Sequence, residues 1–126
     1  MEDVRPFFER YAAAFAAYDA EAIAAGYVLP CLFVRDAQTV AVATPEALDA
    51  SVGQLLDLHR AWDVQTVRAA EVAVLEQGPG HALARVDWSL GRAKSRLRWQ
   101  FATTYVLVPA DDGWRIASAV THDAPF

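Results

Sequence analysis

The stretch that decides the fold is Ala82–Val108, ALARVDWSLGRAKSRLRWQFATTYVLV. Aromatic and β-branched residues fill both ends of it, and a basic turn around Gly91–Lys94 divides it into two strands, Ala82–Leu90 and Leu97–Val108. A second hairpin follows, in which the Pro109–Gly113 turn leads into a strand over Trp114–Thr121. Upstream, Val64–Glu76 reads as another strand and stops at the Gly78-Pro79-Gly80 turn. The second half of the chain is therefore expected to be a broad antiparallel sheet.

Pairing the central hairpin about its turn puts Leu83, Arg85, Asp87 and Ser89 on one face with Trp99, Phe101, Thr103, Tyr105 and Leu107. Arg115, Ala117, Ala119 and Thr121 join that set through the next turn. Val86, Trp88, Leu90, Ala102, Thr104, Val106, Trp114, Ile116 and Val120 take the other face. Neither set has the polar pattern of a solvated face, so both are expected to be covered, one by helices and one by a second copy of the chain. A slip of one residue would exchange the two sets.

The first half of the chain carries the helices. The first is expected over Asp3–Ala17, with Pro6 tolerated in its opening turn and Glu2 and Asp3 near the positive end of its dipole. Phe8, Tyr11, Phe15 and Tyr18 recur at three- and four-residue steps and make one aromatic stripe. Asp19 is a plausible cap for a short second helix that runs through Ile23 to about Tyr27, ahead of Pro30. Cys31–Arg35 and Thr39–Ala43 read as short strands. Thr44-Pro45-Glu46 then places a cap, a first-turn proline and a first-turn acid in succession, starting a third helix that runs to about His59. Its inward side is Leu48, Val52, Leu55, Leu56 and His59. Helices that lead and a sheet that follows define an α+β chain in which helices cover one sheet face.

Composition narrows the function. The 126 residues suffice for one domain with a real core, and the 55% hydrophobic content leaves apolar surface for a cavity or a partner. A net charge of −5 disfavours nucleic acid and anionic membranes as partners. The local basic run Arg92, Lys94, Arg96 and Arg98 reads as a solvated hairpin turn, without the aromatic-basic pattern of an RNA-binding motif. Cys31 stands alone between Pro30 and Leu32, so it forms no intrachain disulfide and reads as a small buried hydrophobe. The three histidines lack metal-ligand spacing, and neither a metal nor a cofactor is expected. No export signal and no uncharged apolar run of about 18 residues is present, so a soluble cytoplasmic chain without membrane contact is expected.

The residues able to carry chemistry each admit two readings. Asp36, after Leu32-Phe33-Val34, is either a base at the rim of an apolar interior, where desolvation raises its pKa, or one half of a surface turn pair with Arg35. Tyr11 is either a donor to a developing oxyanion or a core tyrosine whose hydroxyl reaches a partner. Arg85 and Asp87 make either an ion pair in a pocket or, with Arg115, a structural network. Trp62, Trp88 and Trp99 line a cavity or fill the core. His59 near a helix end is either a cap or dipole partner, the favoured reading, or a catalytic group. His122 stands beside Asp123, but neighbours on a strand point to opposite faces, so its partner would be Asp36, Asp87 or Tyr18.

The FFERYAAAFAAYDAEAIAAGY opening, the LFVRD strand, the TPEAL helix start and the terminal DDGWRIASAVTHD hairpin together resemble the NTF2-like superfamily, in particular its SnoaL-like and ketosteroid-isomerase-like branch. The resemblance covers nearly the whole chain. It implies a cone-shaped fold, three N-terminal helices packed on a strongly bent antiparallel sheet, with a pocket at the wide end and dimers formed through the sheet. In ketosteroid-isomerase relatives a first-helix tyrosine eight residues before the second helix's opening aspartate donates to an oxyanion, and Tyr11 stands at that distance from Asp19. The relatives' general base corresponds to Asp36 in Val34-Arg35-Asp36, with arginine where they carry an acid and one extra residue in between. Their second donor, an aspartate of the later sheet, is missing, and Thr103 or Tyr105 stands near its place.

The expected site therefore has Tyr11, Asp36 and His122 as candidate catalytic groups. Phe15, Tyr18, Tyr27, Trp62, Arg85, Asp87, Trp99, Phe101, Thr103 and Tyr105 are its candidate lining. The expected ligand is a small apolar molecule. An isomerase, cyclase or dehydratase-type proton transfer on a carbonyl or cyclic substrate stands beside noncatalytic ligand binding or dimerisation as the two functions to separate.

Overall fold

A computed structural model describes residues 3–122 and 124, so the expectations attached to Glu2 and Asp123 lie outside the described residues. The helices are α1 (Arg5–Ala16), α2 (Ala20–Ala24) and α3 (Pro45–Ala61). The strands are β1 (Tyr27–Arg35), β2 (Gln38–Val42), β3 (Val64–Gln77), β4 (Ala82–Arg92), β5 (Arg98–Ala110) and β6 (Gly113–His122). They form one curled, unclosed sheet in the order β2-β1-β6-β5-β4-β3, with the helices on its concave side. The α+β architecture expected from the element order is the one observed.

The local signals explain the helix boundaries. α1 starts two residues later than expected, and Asp3 instead accepts a hydrogen bond from the Arg5 backbone N–H at 3.0 Å. It stops where Tyr18 turns into the left-handed region (φ 54°) and the Asp19 N–H reaches back to the Ala14 carbonyl. Asp19 then caps α2 by accepting from the Ala22 N–H at 3.1 Å. The Thr44 hydroxyl does the same for Ala47 at 3.1 Å, with Pro45 preset in the first turn of α3.

Two strand features depart from expectation. β1 begins at Tyr27, so residues 25–27 are not helical, and the strand runs through Pro30. Proline is tolerated there because pairing with β2 starts only at Cys31, and the β6 ladder is irregular between Tyr27 and Leu32. In addition, β1 lies parallel to β6, so the sheet is mixed rather than wholly antiparallel.

The face assignment of the central hairpin is also corrected. The last β4–β5 pair is Gly91 with Arg98, which leaves residues 92–97, an even number, to close the hairpin. Trp88 therefore lies opposite Phe101, Val86 opposite Thr103 and Ala84 opposite Tyr105 on the concave face. Arg85 and Asp87 fall with Thr104 and Ala102 on the convex one. Burial dictates this register: Ala84, Val86 and Leu90 are the inward residues of β4, while a slip would have put two charges inside. Gly91 allows the close approach at the hairpin end, because a Cβ there would stand 2.6 Å from the Thr66 hydroxyl. In β6 the pairing skips Ala117, so Ala119 and Thr121 face inward as expected but Ile116 and Trp114 do too.

The core forms where the aromatic stripe of α1 enters the bend of the sheet. Phe8 packs 4.9 Å from the Tyr105 ring and 6.5 Å from Trp88, centroid to centroid. Phe15, Val52 and Leu56 continue this layer toward α3. Among the described residues no helix is long and apolar enough to cross a membrane.

Thr44→Ala is expected to destabilise the fold by about 0.5–2 kcal/mol, since it leaves the Ala47 N–H without its cap. Urea denaturation measures this, and a change under about 0.2 kcal/mol would show that the cap adds nothing to α3.

Candidate functional site

A cavity of about 300 Å³ lies between α1, α3, the β1–β2 hairpin and the concave sheet. Its wall is largely apolar, with Phe15 and Ile23 from the first two helices, Val52 and Leu55 from α3, and Val67 and Phe101 from the sheet. The aromatic stripe that buries α1 also supplies the cavity's polar end. Tyr11 and Tyr27 share a hydroxyl–hydroxyl hydrogen bond, and the Tyr105 hydroxyl accepts from the Trp88 indole N–H at 3.1 Å. All three tyrosines line the cavity together with Thr103.

Burial raises the pKa of each of these phenols, with the neighbouring hydroxyls as secondary influences. They are therefore neutral hydroxyls near neutral pH. One bond between Tyr11 and Tyr27 uses one of two hydroxyl protons, so the pair keeps a further donor to offer.

The candidate residues separate into five places. Tyr11, Phe15, Tyr27, Phe101, Thr103 and Tyr105 line the cavity. Tyr18 and the tryptophan pair Trp62 and Trp99 do not. The Tyr18 hydroxyl donates to the Val64 carbonyl at 2.7 Å, fastening the α1–α2 corner to the start of β3. Trp62 and Trp99 stack on each other with centroids 4.0 Å apart at the end of α3. Arg92 lies over Trp62 and donates to its carbonyl at 2.7 Å.

Asp36 is in the surface turn between β1 and β2, with its side chain 81% exposed and its carboxylate 3.4 Å from the Arg35 guanidinium. Asp36 and Ala37 both have positive φ (51° and 62°), the conformation that a tight two-residue hairpin demands and that aspartate tolerates. The turn geometry thus turns the carboxylate away from the cavity, while Arg35 and Val34 contribute to its rim.

His122, Arg85 and Asp87 sit on the convex face, where they border a shallow polar depression with Glu71 and Gln100. There the His122 Nε2 is 2.9 Å from the Thr104 hydroxyl, and Arg85 is 3.4 Å from Asp87. The sheet itself stands between these three residues and Tyr11, so the expected convergence of Tyr11, Asp36 and His122 is not formed.

His59 lies on the inward side of α3, as its spacing predicts, but it lines the cavity instead of serving the helix end. It is only 3% exposed and packs at a tilt against Phe15, 5.2 Å between ring centroids. The α3 end is instead closed by backbone bonds from Trp62 and Asp63. The signal was its spacing: His59 continues the inward series Leu48, Val52, Leu56, which outranks its position near the helix end. Among the described residues, no group of three or more His, Cys, Asp or Glu side chains gathers as a metal site.

Desolvation lowers the His59 pKa to about 4 from its usual 6.5. The unfolded chain takes up a proton near pH 6.5 that the folded chain refuses until about pH 4. Its contribution to stability is thus complete above pH 6.5 and is lost as pH falls toward 4, by up to about 3 kcal/mol. Comparing urea unfolding of wild type and His59→Leu between pH 7 and pH 4.5 isolates this effect from carboxylate titration. The variant is expected to lose less stability over that range; parallel profiles would show that His59 is not held neutral by burial.

The geometry is that of helices packed on a curled, unclosed sheet with a cavity between them. The chain matches the family model described as NTF2-like protein (DUF6841) over residues 2–124. It therefore belongs to that family of the NTF2-like superfamily. No curated protein matches it. Among solved structures, an NTF2-like protein with a cystatin-like fold from Novosphingobium aromaticivorans aligns at 20% identity and TM-score 0.72, covering 94% of this chain and 77% of that one. Aln2 from a Streptomyces species aligns at 19% identity and TM-score 0.73, covering 94% and 86%. A single-residue variant of Rv3472 of Mycobacterium tuberculosis, described as of unknown function, aligns at 17% identity and TM-score 0.72, covering 94% and 68%. At these identities the likeness concerns the fold.

Proposed function

We propose that this chain binds a small, largely apolar molecule in the cavity between α1, α3 and the concave sheet, with an oxygen of that molecule accepting from the tyrosine cluster. The observation that carries the reading is the joining of an apolar wall to a floor of neutral hydroxyls, Tyr11, Tyr27 and Tyr105. Such donors suit a ketone, ester or ether oxygen. Among the described residues the lining includes no aspartate or glutamate, which disfavours a cationic ligand.

Proton transfer is the less favoured use of this cavity. Asp36 is exposed in its turn and His122 is across the sheet, so neither is placed to reach a molecule hydrogen-bonded to Tyr11. Binding without turnover is the reading that the arrangement supports. A thermal-shift screen of small aromatic ketones against the matching hydrocarbons tests it. The ketones are expected to stabilise the wild type more, and Tyr11→Phe to reduce that preference severalfold in affinity. Equal responses to both series, or none to either, would contradict it.

The same reading includes a homodimer through the convex sheet face. Leu32, Ser118, Val106 and Leu83 lie in one cross-strand row there, and Leu32 is 42% exposed. Sedimentation equilibrium is expected to give a dimer, and Leu32→Glu to shift it toward monomer; a wild-type monomer at tens of micromolar would overturn the assembly.

A further inference from the structure

We propose that His59 is a ligand-contacting residue, and that the ligand is a small ring compound with hydrogen-bonding groups at both ends, one for the tyrosine hydroxyls and one, a hydroxyl, for the imidazole. The proposal rests on the cavity reading above and specifies its ligand. His59 lines the cavity, yet its Nδ1 is the one buried side-chain nitrogen or oxygen among the described residues that lacks a hydrogen-bond partner. Native interiors rarely leave such an atom unpaired, and an apolar side chain would fill the same space without that cost.

The neighbouring rings define the distance between the two polar ends. Along the α1 wall, Tyr11 meets Phe15 at 5.0 Å between centroids, and Phe15 meets His59 at 5.2 Å. One phenyl ring thus separates the tyrosine cluster from the imidazole. A ligand ring lying beside Phe15 can direct one substituent to each. The Phe15 ring packs against the imidazole at a tilt of 34°, and a half-turn about Cβ–Cγ exchanges Nδ1 with Cδ2 in nearly the same outline. Either nitrogen can therefore be turned to the cavity.

Charge selects the group at the imidazole end. Among the described residues no carboxylate lines the cavity to hold an imidazolium, and burial favours the neutral ring. A neutral imidazole has one N–H and one lone pair, and a hydroxyl, which both donates and accepts, pairs with either tautomer.

Three probes separate the parts of the argument: para-hydroxyacetophenone, acetophenone and ethylbenzene, titrated by protein-observed NMR into wild type, His59→Leu and His59→Gln. Wild type is expected to prefer the hydroxy ketone over acetophenone by roughly fivefold, the scale of one hydrogen bond. His59→Leu should lose the preference for the hydroxy ketone over acetophenone, and His59→Gln should keep part of it. In the unmodified protein, the His59 ring nitrogens should shift with the hydroxy ketone and far less with acetophenone. This readout holds even if a variant fails to fold. Retention of the full preference in His59→Leu, or unmoved His59 nitrogens while the probes bind in the cavity, would overturn the proposal and leave the cavity reading standing. Failure of all three probes to bind the cavity would overturn both.

Discussion

The structure depends on the insertion of one aromatic helix face into a bent sheet. Phe8, Tyr11 and Phe15 are spaced to share a face of α1, and the concave sheet receives them on Trp88 and Tyr105. Phe8 is fully buried against those rings and supplies the hydrophobic anchor. Tyr11, one turn on, is held by the same packing but brings a hydroxyl with it. Because α1 is fixed there and α3 packs farther along, the space between them stays open as a cavity rather than closing into core.

This arrangement accounts for the chemical character of the site. Tyrosines buried so deeply cannot be left with unsatisfied hydroxyls, so they bond to one another and to the Trp88 indole. The low polarity that forces those bonds also keeps the phenols protonated and His59 neutral. The cavity thus joins a largely apolar wall to uncharged hydroxyls, with Arg35 among its lining residues. Chemistry that needs a carboxylate inside finds none among the lining residues, whereas recognition of neutral oxygen functions finds several donors.

Much of this was legible in the residues. Thr44-Pro45-Glu46 marked a helix start that the Thr44 cap realises, and the three-and-four spacing of Phe8, Tyr11 and Phe15 marked the buried face of α1. The errors came from quantities that a single sequence specifies weakly. Hairpin register turns on whether an odd or an even number of residues closes the loop, and residues 92–97 gave the even answer. That one step moved Arg85 and Asp87 from the cavity to the convex face. Asp36 carried the right residue type for a base, but two consecutive positive φ values at Asp36 and Ala37 make it a turn residue. His59 lies on the inward side of α3 as its spacing predicts, and burial rather than the helix end sets its surroundings.

The central claim is that the cavity beside Tyr11 takes up a ligand with an oxygen at the tyrosine cluster. Intermolecular nuclear Overhauser effects between para-hydroxyacetophenone and side-chain protons of the protein test it most directly. The account predicts contacts from the probe's methyl group to Tyr11 and Tyr27, and from its ring to Phe15 and Val52, all cavity-lining residues. Contacts confined to Asp87, Gln100 and His122 on the convex face would contradict it.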